Sequence, residues 1–182
     1  MKALDARLAA VVNGDQSPRD NAERLRLAKR AYGKALYAVA ARLWAEALVA
    51  DPKLGDDRQA QHRYNASCAA ALVALGPAPT GRPVEPALRE PQLDDAAKAK
   101  LRQQALEWLQ AELFTWGKMF DNGPAEMKAI IAPTLKHWKE DPDLAGIRDK
   151  MELAKLPEQE REEFKNLWND VDQLVSKAIG GK

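Results

Sequence analysis

The chain has 182 residues, of which 46% are hydrophobic and 30% are charged, and its formal net charge is +1. This composition excludes a disordered chain, because a chain of this length and apolar content can bury a substantial core. A net charge so close to zero argues against nucleic acid as the partner, since nucleic-acid binding needs a basic surface.

The sequence also predicts the compartment. Cys68 is the only cysteine, so a disulfide framework within one chain is impossible and a reducing compartment is expected. Asp5 and Arg7 stand where a signal peptide needs an apolar run. No stretch approaches the roughly 18 apolar residues of a membrane span. We therefore predict a cytoplasmic protein that binds neither nucleic acid nor membranes.

The first half of the chain begins with two predicted helices. Alanine and leucine dominate and long β-branched runs are absent, which favours helices throughout. The first helix is predicted near residues 3–12. The second opens at Ser17-Pro18, where Ser17 can cap the helix and Pro18 suits its first position. Gly33 inside this helix costs about 1 kcal/mol against alanine, so we expect a close helix–helix contact there.

A third helix is predicted at about 38–50, and the two neighbours share the pattern of a tetratricopeptide repeat. Small residues stand where two antiparallel helices touch, aromatic residues fill the remaining space, and a proline stops the second helix. The residues in these roles are Ala28, Ala40 and Ala47, then Tyr37 and Trp44, then Pro52.

The next repeat helix is predicted from about Asp57 to Leu75, with a buried stripe. The stripe consists of Tyr64, Cys68, Ala71, Leu72 and Leu75. Residues 76–93 are rich in proline and predict a loop. We interpret this loop as an insertion within a helical hairpin, because the following helix must cover the stripe.

Three further helices are predicted in residues 94–179. The longest runs from Asp94 or Asp95 to about Phe120, and the acidic pairs Asp56-Asp57 and Asp94-Asp95 suit helix caps. The next helix contains Pro133, which must kink or split it. The last follows Pro157. All five tryptophans fit apolar stripes and are predicted to be core residues.

These elements predict an all-α fold in one helical repeat domain, residues 1–182. The architecture is a short tetratricopeptide-like solenoid of antiparallel helix pairs with a C-terminal helical cap. Residues 17–75 contain the clearest repeat helices, and residues 94–179 supply the C-terminal helices.

Several motifs in fixed order carry a resemblance to a known family. They are Asp51-Pro52-Lys53-Leu54, His62-Arg63-Tyr64-Asn65-Ala66, Trp108-Leu109, His137-Trp138, the run from Asp141 to Asp149, and the run from Leu153 to Asp172. This succession resembles the tetratricopeptide-like region of many planctomycete proteins, which often follows a serine/threonine kinase domain. The resemblance covers roughly residues 20–178 and implies a helical repeat domain for protein contact or regulation. Pro133 and the proline-rich loop depart from the pattern, and the sequence contains no kinase motif.

The most polar block on a repeat helix is His62-Arg63-Tyr64-Asn65. One interpretation places His62 and Asn65 on a concave surface that binds a peptide. The other, which we favour, has these side chains bonding neighbouring loops or helix ends. The candidate partner-binding residues are Lys29, Arg30, Lys34, His62 and Asn65.

The sequence contains few residues in patterns suited to catalysis or metal binding. Asp141, Asp143, Gly146 and Glu152 match some positions of a calcium loop, but Ala145 and Arg148 do not fit. A helix-ending turn explains the same residues better. Cys68 lies on an apolar helix face, and the two histidines match no metal-ligand spacing. We predict no catalytic residue, no cofactor and no metal.

The predicted function is a non-catalytic interaction or scaffold module that binds a protein or peptide, and the resemblance implies a regulatory region of a kinase-containing protein. Two alternatives stay open. One is an enzyme with a site between helices under the proline-rich loop. The other is a purely structural module that associates with itself.

Overall fold

The computed structural model describes residues 2–74 and 93–180, and in these ranges it consists of helices and their connections, with no strand. The all-α class is therefore confirmed for the described residues. The α-helices are α1 (Lys2–Val12), α2 (Asn21–Gly33), α3 (Tyr37–Ala50), α4 (His62–Ala74), α5 (Asp95–Asn122), α6 (Ala125–Glu140), α7 (Lys150–Leu153) and α8 (Glu158–Gly180). Two 3₁₀ helices, Pro52–Asp56 and Pro142–Ile147, follow α3 and α6. The predicted proline-rich loop lies outside the described residues, apart from Leu93.

Helices α2 and α5 begin where an aspartate side chain accepts a hydrogen bond from a backbone N–H group in the first turn. Asp94 caps α5 as predicted, since its carboxylate accepts a hydrogen bond from the Ala97 N–H at 2.7 Å. The predicted cap of α2, Ser17, is wrong. Asp20 caps that helix by accepting from the Glu23 N–H at 2.7 Å, because it directly precedes the first helical residue.

The predicted start of α4 at Asp57 is also wrong. Asp57 accepts hydrogen bonds from the N–H groups of Gln59 and Ala60 and so closes a turn ahead of the helix. Gln61 then takes a positive φ of 48°. Because a helix cannot continue through that conformation, α4 begins at His62.

Successive helices pack on one another along the first half of the chain. α2 packs on α3, α3 on α4 and α4 on α5. The connection between α2 and α3 is short and contains Ala35 at a φ of 59°, which reverses the chain as in an αα-hairpin. The predicted order of neighbours is therefore present in the described residues.

Helix α4 lies at the centre of the described fold. Ten of its 13 residues are buried, including four alanines and Ser67 with no exposed surface. Helices α3 and α5 and the 3₁₀ helix at Pro142–Ile147 all pack against it. The predicted stripe residues of α4 within the described range are buried, but so is most of the rest of the helix.

Helix α1 is held to α2 by apolar contacts and by a buried carboxylate. Leu8 and Val11 are buried in the core. Glu23, which is 2% exposed, accepts hydrogen bonds from Arg7 Nε at 2.9 Å and from Arg19 Nη2 at 2.7 Å. The hydrogen bonds from Arg7 and then Arg19 lower the pKa of Glu23 well below its ordinary range, so the carboxylate stays charged.

The close contact expected at Gly33 is absent, and of the kink or split expected at Pro133 the split is absent. Gly33 makes no close helix contact: it is exposed at the end of α2, and an added Cβ would meet nothing within 4 Å. Pro133 does not split its helix, since α6 is continuous through it. Its ring lies on the exposed side, and the Thr134 hydroxyl donates to the Ile130 carbonyl at 2.7 Å.

The C-terminal helices complete the core. Helix α8 packs on α5 and α6, and the Trp168 indole N–H donates to the Ile147 carbonyl at 2.7 Å. All five tryptophans are at most 8% exposed, which confirms their prediction as core residues.

Within residues 2–74 and 93–180, no helix combines the length and the apolarity needed to cross a bilayer.

We predict that Ala47→Trp destabilises the fold by about 1–3 kcal/mol or more, because Ala47 is fully buried in α3 and has no room for an indole. Urea unfolding followed by circular dichroism measures the loss. Ala50→Trp, at the exposed end of the same helix, is the control and should leave the free energy of unfolding nearly unchanged. An unchanged midpoint for Ala47→Trp contradicts the close packing.

Candidate binding surfaces

The face shared by α2 and α4 is covered by the chain's own Asp141–Ile147 segment. The Tyr64 hydroxyl donates to an Asp141 carboxylate oxygen at 2.5 Å. The Tyr32 hydroxyl donates to Asp143. Leu144 in the same segment is fully buried. Tyr32 on α2 and Tyr64 on α4 therefore both hold one acidic turn from the C-terminal half.

Aromatic stacking reinforces this contact. The Tyr64 ring stacks on Trp138 of α6, with 5.3 Å between ring centroids and 16° between the planes.

Cys68 lies beside Tyr64, and burial raises the pKa of its thiol well above the ordinary value. Since a thiolate is the reactive form, this cysteine is a core residue and a poor nucleophile.

The Asp141–Glu152 turn is built as a helix end. An Asp141 carboxylate oxygen accepts from the Asp143 N–H at 2.9 Å. Arg148 Nη1 donates to the Asp141 carbonyl at 2.7 Å, and Glu152 bonds to Lys155. These contacts use the groups that a calcium ion would need. Among the described residues, no cluster of three or more histidine, cysteine, aspartate or glutamate side chains is suited to hold a metal ion.

Two of the predicted partner-binding residues converge on α1. Arg30 Nη2 donates to Asp5 at 2.9 Å, and Lys34 Nζ lies 3.8 Å from the same carboxylate. The hydrogen bond from Arg30 lowers the pKa of Asp5. Arg30 and Lys34 therefore help to dock α1 on α2 in this structure.

Of the other three predicted residues, Lys29 lies on α2, and His62 and Asn65 lie in the first turn of α4. His62 is 5% exposed, and its Nδ1 has no hydrogen-bond partner among the described residues. Burial lowers the pKa of His62, nearby Lys29 lowers it further, and Asp57 opposes both. Asn65 Nδ2 donates to the Ala60 carbonyl at 2.9 Å, as the structural interpretation expects. Partner binding by the five residues stays a prediction.

A buried ion pair between Arg58, in the turn that precedes α4, and Glu112 on α5 was not foreseen from the sequence. Glu112 is fully buried and accepts from Arg58, whose guanidinium carbon lies 5.4 Å from the Trp116 ring centroid. Burial raises the pKa of Glu112, and Arg58 opposes the rise. Glu112 falls at the helical spacing of the stripe residues Leu109 and Trp116, and this apolar context was the available signal. Arg58 satisfies Oε1 of this acid, whereas Oε2 is buried with no hydrogen-bond partner among the described residues.

The surface between α5 and α8 forms an open groove of about 450 Å³. The residues that line it are Gln110, Leu113, Phe114, Gly117, Leu167, Asp170, Gln173, Leu174 and Lys177. Phe114 is 63% exposed, and Lys118 Nζ lies 4.6 Å from its ring centroid. An added Cβ at Gly117 would meet nothing within 4 Å. The groove thus presents an aromatic side chain next to an open hollow.

Phe114 was missed because it lies off the α5 stripe, among Gln110, Gly117 and Lys118. An aromatic residue on the polar side of an amphipathic helix was the signal in the sequence.

A second, smaller cavity of about 210 Å³ lies near Arg63 and Trp108. It is below the usual size of a small-molecule site, so the α5–α8 groove is the stronger candidate surface.

No protein-family model matches the chain, and neither the curated proteins nor the solved structures contain a significant match to it.

We predict that Tyr32→Phe and Tyr64→Phe each lower the free energy of unfolding by about 1–3 kcal/mol, because each leaves a largely buried carboxylate oxygen without its donor. Thermal and urea unfolding measure the loss. Tyr37→Phe is the matched control: Tyr37 is also buried, but its hydroxyl has no hydrogen-bond partner among the described residues. An equal change in the free energy of unfolding for all three substitutions would show that the hydrogen bonds to Asp141 and Asp143 contribute no stability.

We predict that His62 makes the protein less stable as the pH falls. Because the folded pKa of His62 is lowered, the unfolded chain binds more protons once the pH drops through the ordinary value of about 6.5. Unfolding free energies measured between about pH 8 and 5.5 should therefore decline, and His62→Gln should flatten the decline. Glu23 remains charged throughout this range and does not contribute. An identical pH slope in the variant would show that His62 is not held neutral.

Proposed function

We propose that the chain is a non-catalytic protein-interaction module, and that the α5–α8 groove is its docking surface. The observation that supports this proposal best is Phe114, an aromatic side chain 63% exposed in an open groove. Exposed aromatic residues with adjacent apolar hollows are typical of protein-binding sites. The groove runs between two helices, which is the shape that accepts a further helix.

We also propose that the fold is a short tetratricopeptide-like solenoid with a C-terminal helical cap. The serial packing of α2, α3, α4 and α5 supports this arrangement, as does the burial of the small residues Ala28, Ala40 and Ala47. In such solenoids the first helices of successive repeats face the ligand. Here the corresponding face, with Tyr32 and Tyr64, holds the chain's own acidic turn, and this favours the outer α5–α8 groove for a partner.

The resemblance to the region that follows planctomycete kinase domains supports a regulatory or scaffolding role. Cys68 and Glu112 are buried side chains that could in principle take part in catalysis, and their surroundings favour a binding function over a catalytic one. The Cys68 thiol is buried with a raised pKa, and Glu112 is closed off by Arg58. We propose that the partner is a protein and that the module works in the cytoplasm, because its lone cysteine forms no disulfide within the chain.

We predict that Phe114→Glu abolishes partner capture at the groove. Affinity purification from lysate of the source cells, read by quantitative mass spectrometry, compares the wild type with this variant. A central aromatic contact contributes about 2 kcal/mol or more to an interface, so binding should weaken by about thirtyfold or more.

Met151→Glu is the matched control, since Met151 is 81% exposed but does not line the groove. Proteins that are depleted with Phe114→Glu and retained with Met151→Glu support the proposal. Each depleted protein is then purified, and its affinity is measured by titration calorimetry. Identical sets of captured proteins for all three forms contradict docking at the groove.

A further inference from the structure

Helices α5 and α8 run in the same direction along the groove. Arg102 on α5 pairs with Glu160 on α8, with Nη2 and Oε1 3.0 Å apart. The groove-lining stretches 110–117 and 167–177 follow these residues on their respective helices. Because earlier residues meet earlier ones and later residues meet later ones, the two helices are parallel.

Each of the two helices carries an acid before a base. On α8, Asp170 precedes Lys177, and both line the groove. On α5, Glu107 lies one turn before the lined stretch and Lys118 follows it directly. All four residues are exposed. The groove is therefore acidic at one end and basic at the other, with Asp121 one turn beyond Lys118 and outside the lined stretch.

We propose that the protein bound in the groove is a second copy of this chain, related by a twofold axis that lies in the interface, perpendicular to the length of the groove and close to its centre. This inference rests on the proposed function and names its partner. A half-turn places the acidic end of one groove over the basic end of the other. Each helix then lies antiparallel across its own counterpart, α5 across α5 and α8 across α8.

The charges match in this arrangement without further adjustment. Glu107 of one copy lies opposite Lys118 of the other where the two α5 helices meet, and Asp170 lies opposite Lys177 where the two α8 helices meet. Twofold symmetry repeats both pairs, so four ion pairs surround the centre. A helix pair from an unrelated protein needs the same charge order to fit in this way, whereas a second copy has it by symmetry.

The centre of the groove supplies the apolar contact. Phe114 lies midway along the lined stretch of α5, and Leu113 and Leu174 are half-buried beside it. Near a twofold axis the two Phe114 rings approach each other, and the hollow at Gly117 leaves room for the incoming side chain. Exposed ion pairs contribute little affinity but fix orientation, so the aromatic centre supplies the affinity and the charges supply the register.

Sedimentation velocity on the purified full chain tests the inference. We expect a concentration-dependent monomer–dimer equilibrium that weakens at high salt, because the ion pairs are exposed. Phe114→Glu should abolish the dimer, and Met151→Glu should retain it. Asp170→Lys should raise the dissociation constant by about tenfold, since it places two positive charges opposite each other.

A charge exchange separates the interface from a folding defect. Lys177→Glu combined with Asp170→Lys restores opposite charges across the axis and should recover the wild-type dissociation constant. Recovery supports the antiparallel arrangement, because a misfolded variant would not regain affinity. A dimer in which the double variant is as weak as Asp170→Lys alone overturns it.

The two proposals fail in different ways. A chain that stays monomeric at every concentration overturns the second-copy inference. If Phe114→Glu still loses a different captured protein, the interaction function stands. If the protein depleted by Phe114→Glu in the lysate is the chain itself, the inference is supported. A monomeric chain whose captured proteins do not change with Phe114→Glu overturns both proposals.

Discussion

The described fold depends on the burial of α4 from nearly every side. A helix can be enclosed in this way only if its side chains are small, and α4 meets the requirement with Ala66, Ala69, Ala70 and Ala71, none of which is exposed. Two neighbouring helices and the 3₁₀ helix at Pro142–Ile147 then approach its backbone closely. The aromatic residues around it fill the volume that alanine leaves.

Enclosure creates a second requirement, because polar groups that enter the interior must find partners. Tyr64 and Tyr32 meet it by donating to Asp141 and Asp143. The same logic governs the acids elsewhere: Glu23 is bound by two arginines, and Glu112 is bound by Arg58. Most charged groups near the core are thus engaged in holding the helices together, whereas the α5–α8 groove stays open to solvent.

The sequence predicted the helices well where local signals are strong. The small-residue offsets of α2 and α3, the cap at Asp94 and the tryptophan stripes all correspond to the structure. It failed where a decision depends on a competing neighbour. Asp20 caps α2 in place of Ser17, because Asp20 lies directly before the first helical residue. Gly33 lies at the end of α2 and makes no close contact with another helix.

The candidate site was harder to predict for a physical reason. Arg30 and Lys34 look available in the sequence, but Asp5 is brought to them only by the docking of α1. Phe114 looks like an ordinary helix residue until α8 packs beside it and leaves a groove. Both facts depend on contacts between residues that are far apart in sequence, and periodicity within one helix carries no information about them.

Cys68 gives the molecule an internal probe of its own opening. Its thiol is 2% exposed on the most enclosed helix, and burial keeps it protonated. A thiol reagent can therefore modify the folded chain only during excursions that separate α4 from its neighbours. The labelling rate under native conditions reports how often the centre of the molecule becomes accessible, with no engineered cysteine and no competing thiol in the chain.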